Sequence, residues 1–533
     1  MNWKFNYRLL SRITAAILLG IVLIRFFLIN IVDTALRNQL EKIRQPDLSI
    51  DYNGLSIGWY SPSVYIDHME VVGMGQSDTA MKISVERIHF QDIRLRKLFF
   101  HKEIIVGRIS LDQTVLSTKT GQRMEWKNFP KQGNLNSGLK LFSKEFRFKN
   151  FQWNHFDERD ELAMIAGTQR FSIFGIQYRS KALPGDGVLF DSIGCRDFSF
   201  VSPAIQHKIT IGSVDYSRNL KELNIGEVRV VPLLDKFEFA QYFKRQVDRI
   251  ECHSRKIKLT DVTYKDKGSI YLKAGKMAFD FHMETYRNKT YPFNRKKASP
   301  MPRELLKKTG FIFDIDTLEL HDGFIAYEEL DSLYNNPGRI YFKGLNIRAN
   351  HFSNDSKYNG NTLRATSQFM ESGVIEAEFF FPEDSAKKYR VQGSLSPMDL
   401  SEINGILKAA SLFEVKTGTL DTMRFLFDYD RVEASGKVEF AFNDLKLVAY
   451  KKKSPEKISI MKTLVINQVI RMNKVKNANL IGHIGFKRDP VRSVVSYWWR
   501  SLFSGIKSAF VKDGSFNPTR NESGTLGPKF KDE

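Results

Sequence analysis

Met423-Arg424-Phe425-Leu426-Phe427-Asp428-Tyr429 and, a short turn later, Val438-Glu439-Phe440-Ala441-Phe442 carry apolar residues at every second position. A period of two sends alternate side chains to opposite faces of an extended strand, so each stretch reads as a strand with one apolar face. The same alternation runs through Phe146-Arg147-Phe148 and through Met277-Ala278-Phe279-Asp280-Phe281-His282-Met283. Working outward, such segments recur roughly every ten to twenty residues from Leu55 to Tyr450, which predicts a mainly β chain built from a long run of antiparallel strands.

Composition agrees with a folded chain. Of 533 residues, 42% are hydrophobic, which excludes both a disordered polymer and a polytopic membrane protein. Phe alone accounts for 42 residues, and only 16 are Pro, as suits wide apolar strand surfaces. The 81 Lys+Arg against 60 Asp+Glu give a net charge of +21. Two cysteines, Cys195 and Cys252, are too few for a disulfide framework or a zinc site, although they could pair in an oxidising compartment.

The first residues read differently. Residues 1–12 hold Lys4, Arg8 and Arg12 and no acid, and residues 13–32 are mostly apolar with a single charge, Arg25. About twenty such residues span a bilayer, with Ile13, Ile17, Leu18, Ile21, Leu23, Ile24, Phe27 and Leu28 as its lipid-facing anchor. The flank Asn30-Ile31-Val32-Asp33-Thr34 lacks a small-x-small cleavage site, so the expectation is an uncleaved transmembrane helix. The positive-inside rule then leaves residues 1–12 in the cytoplasm and the bulk of the chain exported. Arg25 sits near the exit end, where it can snorkel.

Residues 33–46 read as a short juxtamembrane helix stopped by Pro46, and residues 47–450 as the exported β-rich region. Ile257 to Tyr264 and Leu318 to Tyr327 share a strand, polar turn and Tyr pattern, a faint internal repeat. Arg287 to Lys308 carries eight Lys/Arg and one Glu and reads as a loop or boundary. Helices are expected over 400–413, over 458–472 and from near Asp489; residues 513–533 are polar and read as a disordered tail.

Residues 451–533 hold seventeen Lys/Arg and six acids, so much of the positive charge is local to this end. In the basic helical region 451–512, Asp489 is a candidate N-cap with Pro490 at the first helical position. Val491, Val494, Val495, Trp498, Leu502 and Ile506 then recur at helical spacing, beside Trp499 and the basic Arg492, Arg500 and Lys507. That pattern fits first a helix packing its stripe on the end of a sheet, next a membrane-contact amphipathic helix, and last a surface for a protein partner.

Chemical motifs are weak. Gly54-Leu55-Ser56-Ile57-Gly58 matches a nucleophile-elbow pattern, but Pro62 and the alternating Val64-Tyr65-Ile66 follow where a helix is required. Asp314, Asp316, His321 and Asp322 read as the solvated face of a strand rather than metal ligands. No P-loop, dinucleotide fingerprint or zinc motif occurs, so no catalytic residue, metal or cofactor is expected.

Leu395 to Leu400, Val415-Lys416-Thr417-Gly418-Thr419-Leu420, Phe425 to Phe427, Gly436 to Phe440 and Asp444-Leu445-Lys446-Leu447 together resemble the C-terminal pattern of the AsmA-like family of Gram-negative envelope proteins. Gly485-Phe486-Lys487-Arg488-Asp489-Pro490, followed by Tyr497-Trp498 and the run Ser501 to Lys507, is similar to the terminal motif of a subgroup whose C-terminal domain has no assigned function. Leu98 to Leu111 is similar to the family's early strands. Where relatives often carry Tyr before the Asp-Leu-Lys segment, this chain has Phe442-Asn443.

The resemblance implies a strongly curved sheet forming an elongated, apolar groove, an inner-membrane anchor and a periplasmic bulk, with phospholipid as the partner. Phe146, Phe148, Met277, Phe279, Phe281, Phe425, Phe427, Phe440 and Phe442 would line that groove. Acyl chains gain ~0.8 kcal/mol per buried CH₂, so a long lining would let lipid leave a bilayer without a chemical step. The same apolar faces could instead pack a closed core. A scaffold binding envelope proteins during outer-membrane assembly is the second expectation and an anchored hydrolase the third; nucleic acid is not expected outside the cytoplasm.

Overall fold

The computed structural model describes residues 48–510 apart from internal segments, the longest being 95–102, 122–139, 180–187 and 469–479, together with a few positions between 30 and 38. The expected anchor, but for Asn30, most of residues 33–46, and the tail 513–533 lie outside the described residues. Among those described, no helix is long and apolar enough to cross a membrane. With 66% of the described residues in strands and 14% in helices, the described chain is mainly β, as the alternation required. It divides into two compact units, residues 1–219 and 220–533.

The first unit contains β1 (Leu48–Asp51), β2 (Gly54–Ile57), β3 (Val64–Met74), β4 (Thr79–Gln91) and β5 (Glu103–Lys119), then β6 (Lys140–Phe156), β7 (Leu162–Arg179), β8 (Val188–Leu189), β9 (Ser192–Ser202) and β10 (His207–Ser217). β1 and β2 both pair with β3, and the order then runs β3-β4-β5-β6-β7-β9-β10, with β8 extending the β9 side of β7. The pairings are antiparallel except β5 with β6, which is parallel. Where the chain enters the sheet, the Tyr52 hydroxyl donates to Asp33 Oδ1 at 2.6 Å. Burial, reinforced by that carboxylate, pushes the Tyr52 phenol up to about 12.

The second unit contains β11 (Glu222–Pro232), β12 (Asp248–Thr260), β13 (Thr263–Asp266), β14 (Ile270–Phe279), β15 (His282–Asn288), β16 (Ile312–Leu330), β17 (Gly338–Ser353) and β18 (Asn361–Phe369). It continues through β19 (Gly373–Phe381), β20 (Tyr389–Leu395), β21 (Met398–Asp399), β22 (Phe413–Tyr429), β23 (Glu433–Lys451), β24 (Ser454–Ile458) and β25 (Leu480–Lys487). Four helices punctuate it: α1 (Lys236–Phe243), α2 (Pro302–Lys307), α3 (Asn404–Ser411) and α4 (Val494–Phe510). Residues 460–464 and 466–468 are helical as well.

Two expectations about strands are corrected here. The run Met277 to Met283 is two strands: β14 ends at Phe279 and β15 begins at His282, and both pair antiparallel with β12 and parallel with β16. Phe281 therefore lies in the break and not on the strand face. The break is held by Asp280, whose Oδ1 accepts from the Arg255 and Lys256 N–H groups at 2.9 and 3.1 Å, while its Oδ2 accepts from Arg255 Nε at 2.7 Å. The sheet is accordingly mixed, with parallel pairs at β5–β6, β14–β16 and β15–β16, because a broken strand and long connections supply the crossovers that parallel pairing needs.

Among the helices, α1 carries a capping box that its sequence contains in plain form. Asp235 Oδ1 accepts from the Phe237 and Glu238 N–H groups, both at 2.8 Å. α2 starts with Pro302 at its first turn, inside the basic stretch read as a loop, and buries Arg303. α3 follows a 3-10 turn over Leu400–Ile403, so the expected 400–413 helix is present in two shorter pieces.

Candidate functional site

Strand registers assemble the alternating residues into rows. In the first unit, Val71, Ile83, Leu116, Trp153, Ala166, Phe200 and Ile209 lie side by side across seven strands. A second row is Ile66, Ile88, Leu111, Phe148, Phe171, Cys195 and Val214, and a third is Val64, Phe90, Ile109, Phe146, Ile173, Ile193 and Tyr216. At ~4.8 Å between strands, the rows extend roughly 30 Å.

The rows stay on one face because several strands take an extra residue in step. Gln113 of β5, Asn150 of β6 and Asp197 of β9 have φ of 51°, 53° and 53°, a left-handed conformation that shifts the alternation by one. Phe148 and Phe151 would otherwise point to opposite faces, yet their ring centroids lie 5.5 Å apart. Phe146 and Phe171 also pack on Phe148, with centroids at 5.2 and 6.3 Å.

The reverse face of the same strands is charged. Arg87 bridges Asp67 at 2.7 Å, Arg108 bridges Glu145 at 2.6 Å, Lys149 reaches Asp112 at 3.4 Å, and Arg196 reaches Asp215 at 2.7 Å. Glu145 is buried, which alone would raise its pKa, but the Arg108 and Arg147 guanidiniums outweigh the burial and hold the carboxyl below its ordinary value. A sheet so divided has one wetted side and one apolar side.

Coverage of the apolar side differs along the first unit. Tyr52, Ile66, Val85 and Ile88 form a small core with Leu55, Met69 and Phe90 packed on it. From β5 to β10, the large side chains of the three rows are only half-buried. Phe146 and Phe148 are among them. In the second unit Met277 and Phe279 are half-buried in the equivalent rows, Met277 between Leu259 and Leu318 and Phe279 between Ile257 and Leu320. Phe281 is half-buried in the break.

Phe425, Phe427, Phe440 and Phe442 have a different environment from the lining expected of them. All four are buried in the main core of the second unit, with Tyr389, Val391, Tyr429, Val438 and Ile484. Helix α4 lies over them: Trp498 packs on Phe379 at 4.9 Å and Phe510 on Phe440 and Phe442 at 5.7 and 5.9 Å. Burial pushes the phenols of Tyr429 and Tyr497 up, and the Arg488 guanidinium stands 5.8 Å over the Tyr497 ring. At this end the sheet face is closed core, because a helix caps it.

That helix also departs from its sequence reading. It begins at Val494, with Ser493 Oγ accepting from the Ser496 N–H at 3.3 Å, and not at Asp489. Asp489 instead holds a turn, accepting from the Val491 N–H at 3.2 Å and from Arg492 Nε at 3.0 Å. Val491 and Arg492 thus precede the helix. Of the stripe, Val494 is buried and Trp498, Leu502 and Ile506 pack on the core, so the sheet-packing alternative describes them. Val495 and Trp499 face outward. Arg500 is partly buried, which lowers its pKa, and Lys507 is half-exposed.

The other candidates are placed as follows. Ser56 lies within β2 opposite Tyr65, in a strand and not at an elbow. Asp314, expected on a solvated face, is fully buried and accepts from the Tyr271 hydroxyl at 3.2 Å; Asp316 faces Lys273 at 3.8 Å, and His321 meets Glu319 at 3.1 Å. Cys195 and Cys252 are free thiols. No group of three or more His, Cys, Asp or Glu suited to a metal ion occurs among the described residues.

A scan against protein-family models finds none that matches the chain, and a search of curated proteins finds no match either.

Proposed function

We propose that this chain is an envelope protein of the AsmA-like kind, anchored in the inner membrane by residues 13–32, whose exported strands hold phospholipid acyl chains against an apolar sheet face. The observation that carries the reading is the three-row apolar face of β3 to β10, half-buried from β5 onward and backed by paired charges. A contiguous, half-covered apolar surface of this kind costs solvation free energy unless something apolar covers the rest of it. Acyl chains cover it without directional bonds, which suits a lining of Phe, Ile, Leu and Val with few hydrogen-bonding groups. Binding and transfer, rather than a reaction, is then the activity, and membrane contact through Val495 and Trp499 of α4 is compatible with it.

The experiment is native mass spectrometry with lipid extraction on the chain from residue 33 onward, produced in a periplasm. Phospholipid at reproducible stoichiometry is expected, reduced about fivefold or more by the pair Phe148→Glu and Phe171→Glu. A lipid-free, monodisperse and stable wild-type protein would overturn the reading.

A further inference from the structure

The helical residues 460–464 and 466–468 dock through polar side chains and leave large apolar ones outside. Thr463 and Asn467 face inward, beside Ile466, which packs on the core. Asn467 Oδ1 accepts from the Leu447 N–H at 2.9 Å and its Nδ2 donates to the Leu447 carbonyl at 2.7 Å. Thr463 Oγ1 accepts from the Ala449 N–H at 2.9 Å, and the Ser459 N–H donates to the Ala449 carbonyl at 2.7 Å. These bonds satisfy the edge of β23 that β25, paired only over Glu433 to Phe440, leaves open. They also fix the rotation of the helix.

With 459, 463 and 467 turned in, positions 460, 461 and 464 are turned out. They are Ile460, Met461 and Leu464, exposed by 71%, 76% and 63%. An ordinary surface helix buries its apolar stripe and wets its polar one. Here the side chains of Thr463 and Asn467 make the inner hydrogen bonds beside Ile466, yet nothing in that docking requires Ile460, Met461 and Leu464 to be apolar. Exposed Ile458 continues the patch.

The surroundings of the patch select the partner. Lys457 is exposed next to Ile458 in the chain, and Lys451 is exposed at the end of β23. Large flexible apolar side chains set among lysines match an anionic lipid surface, which accepts the side chains between headgroups and the ammonium groups at the phosphates. We infer that the exposed apolar residues Ile460, Met461 and Leu464 make this helical segment a docking element for an anionic phospholipid surface, separate from the sheet face and independent of whether that face binds lipid.

The test uses the full chain reconstituted in phosphatidylcholine vesicles containing about 30% phosphatidylglycerol, with p-benzoylphenylalanine at position 461. Irradiation is expected to give phospholipid adducts at 461 about tenfold above those from the same probe at Val432, an exposed apolar position elsewhere, and to fall severalfold without phosphatidylglycerol. Met461→Asn with Leu464→Asn, outward changes that leave the inner bonds intact, should reduce adducts from a probe at Ile460 to the Val432 level. Adducts at 461 no more frequent than at Val432, or adducts to protein alone, would overturn the inference.

Discussion

Gly482 of β25 and Gly505 of α4 meet backbone to backbone: a Cβ placed on Gly482 would fall 1.9 Å from the Gly505 carbonyl oxygen. One on Gly505 would fall 2.6 and 2.8 Å from Ile484 Cγ1 and Val438 Cγ1. Only glycine lets the helix lie this low on the core, and Ser508 then bonds the strand, accepting from the His483 N–H at 2.7 Å. Gly482→Ala should destabilise the protein by about 3 kcal/mol through overpacking. Gly485→Ala, with no atom within 4 Å of the added carbon, should stay within about 0.5 kcal/mol. Urea unfolding followed by tryptophan fluorescence, which Trp498 and Trp499 report from α4 itself, checks both.

Asp280 closes the break between β14 and β15. Burial works to raise its pKa, but bonds from Arg255, the Lys256 N–H and Ser254 prevail and hold it below its ordinary 3.8. A carboxyl lowered by folding contributes stability above its unfolded pKa and loses it as pH falls through the folded value. Asp280→Asn should therefore cost about 1–2 kcal/mol at pH 7, and the difference from wild type should shrink below about pH 3.8. Stability measured by urea titration across pH 2.5–7, roughly the carboxylate range, decides it; a difference independent of pH would contradict the role.

How much of this was legible in the sequence depends on the length of uninterrupted alternation. Met423 to Tyr429 and Val438 to Phe442 alternate without a break, and both stand as drawn, within β22 and β23. The rule fails at Asn150, where one left-handed residue moves the apolar positions from Phe146 and Phe148 to Phe151 and Trp153. It fails again at Asp280, whose neighbours continue the pattern while the chain leaves the strand. Parallel pairing of β5 with β6 was illegible, since local periodicity is the same in either direction. The stripe of α4 was visible, but the choice between core and surface depended on Gly482 and Gly505, which only the approach of strand and helix makes informative.

Phe148 and Phe427 look alike in sequence, each in a Phe-x-Phe pair, and differ in cover. Phe427 is 2% exposed in the core beneath α4, whereas Phe148 is half-buried on the sheet face. Truncating a fully buried Phe leaves a cavity and costs about 3–5 kcal/mol. A half-covered ring has already conceded part of its burial, so Phe148→Ala should cost about 1–2 kcal/mol. Equal losses in urea unfolding would mean that the face of the first unit is as closed as that of the second.

Asn467 joins the helical residues 466–468 to β23 through both halves of its amide, and no shorter or apolar side chain can reproduce the pair of bonds to Leu447. Asn467→Ala leaves the Leu447 N–H and carbonyl without that partner, at a cost of about 1–3 kcal/mol. Because the bonds set the rotation of the helix, the loss should be local before it is global. The Leu447 and Ala449 amides are expected to exchange hydrogen severalfold faster, while those of β22 opposite Phe440 keep their protection. Uniform acceleration across β22 and β23 would instead place Asn467 in the cooperative core, and the helix would then be a structural element of the sheet rather than an attachment on its edge.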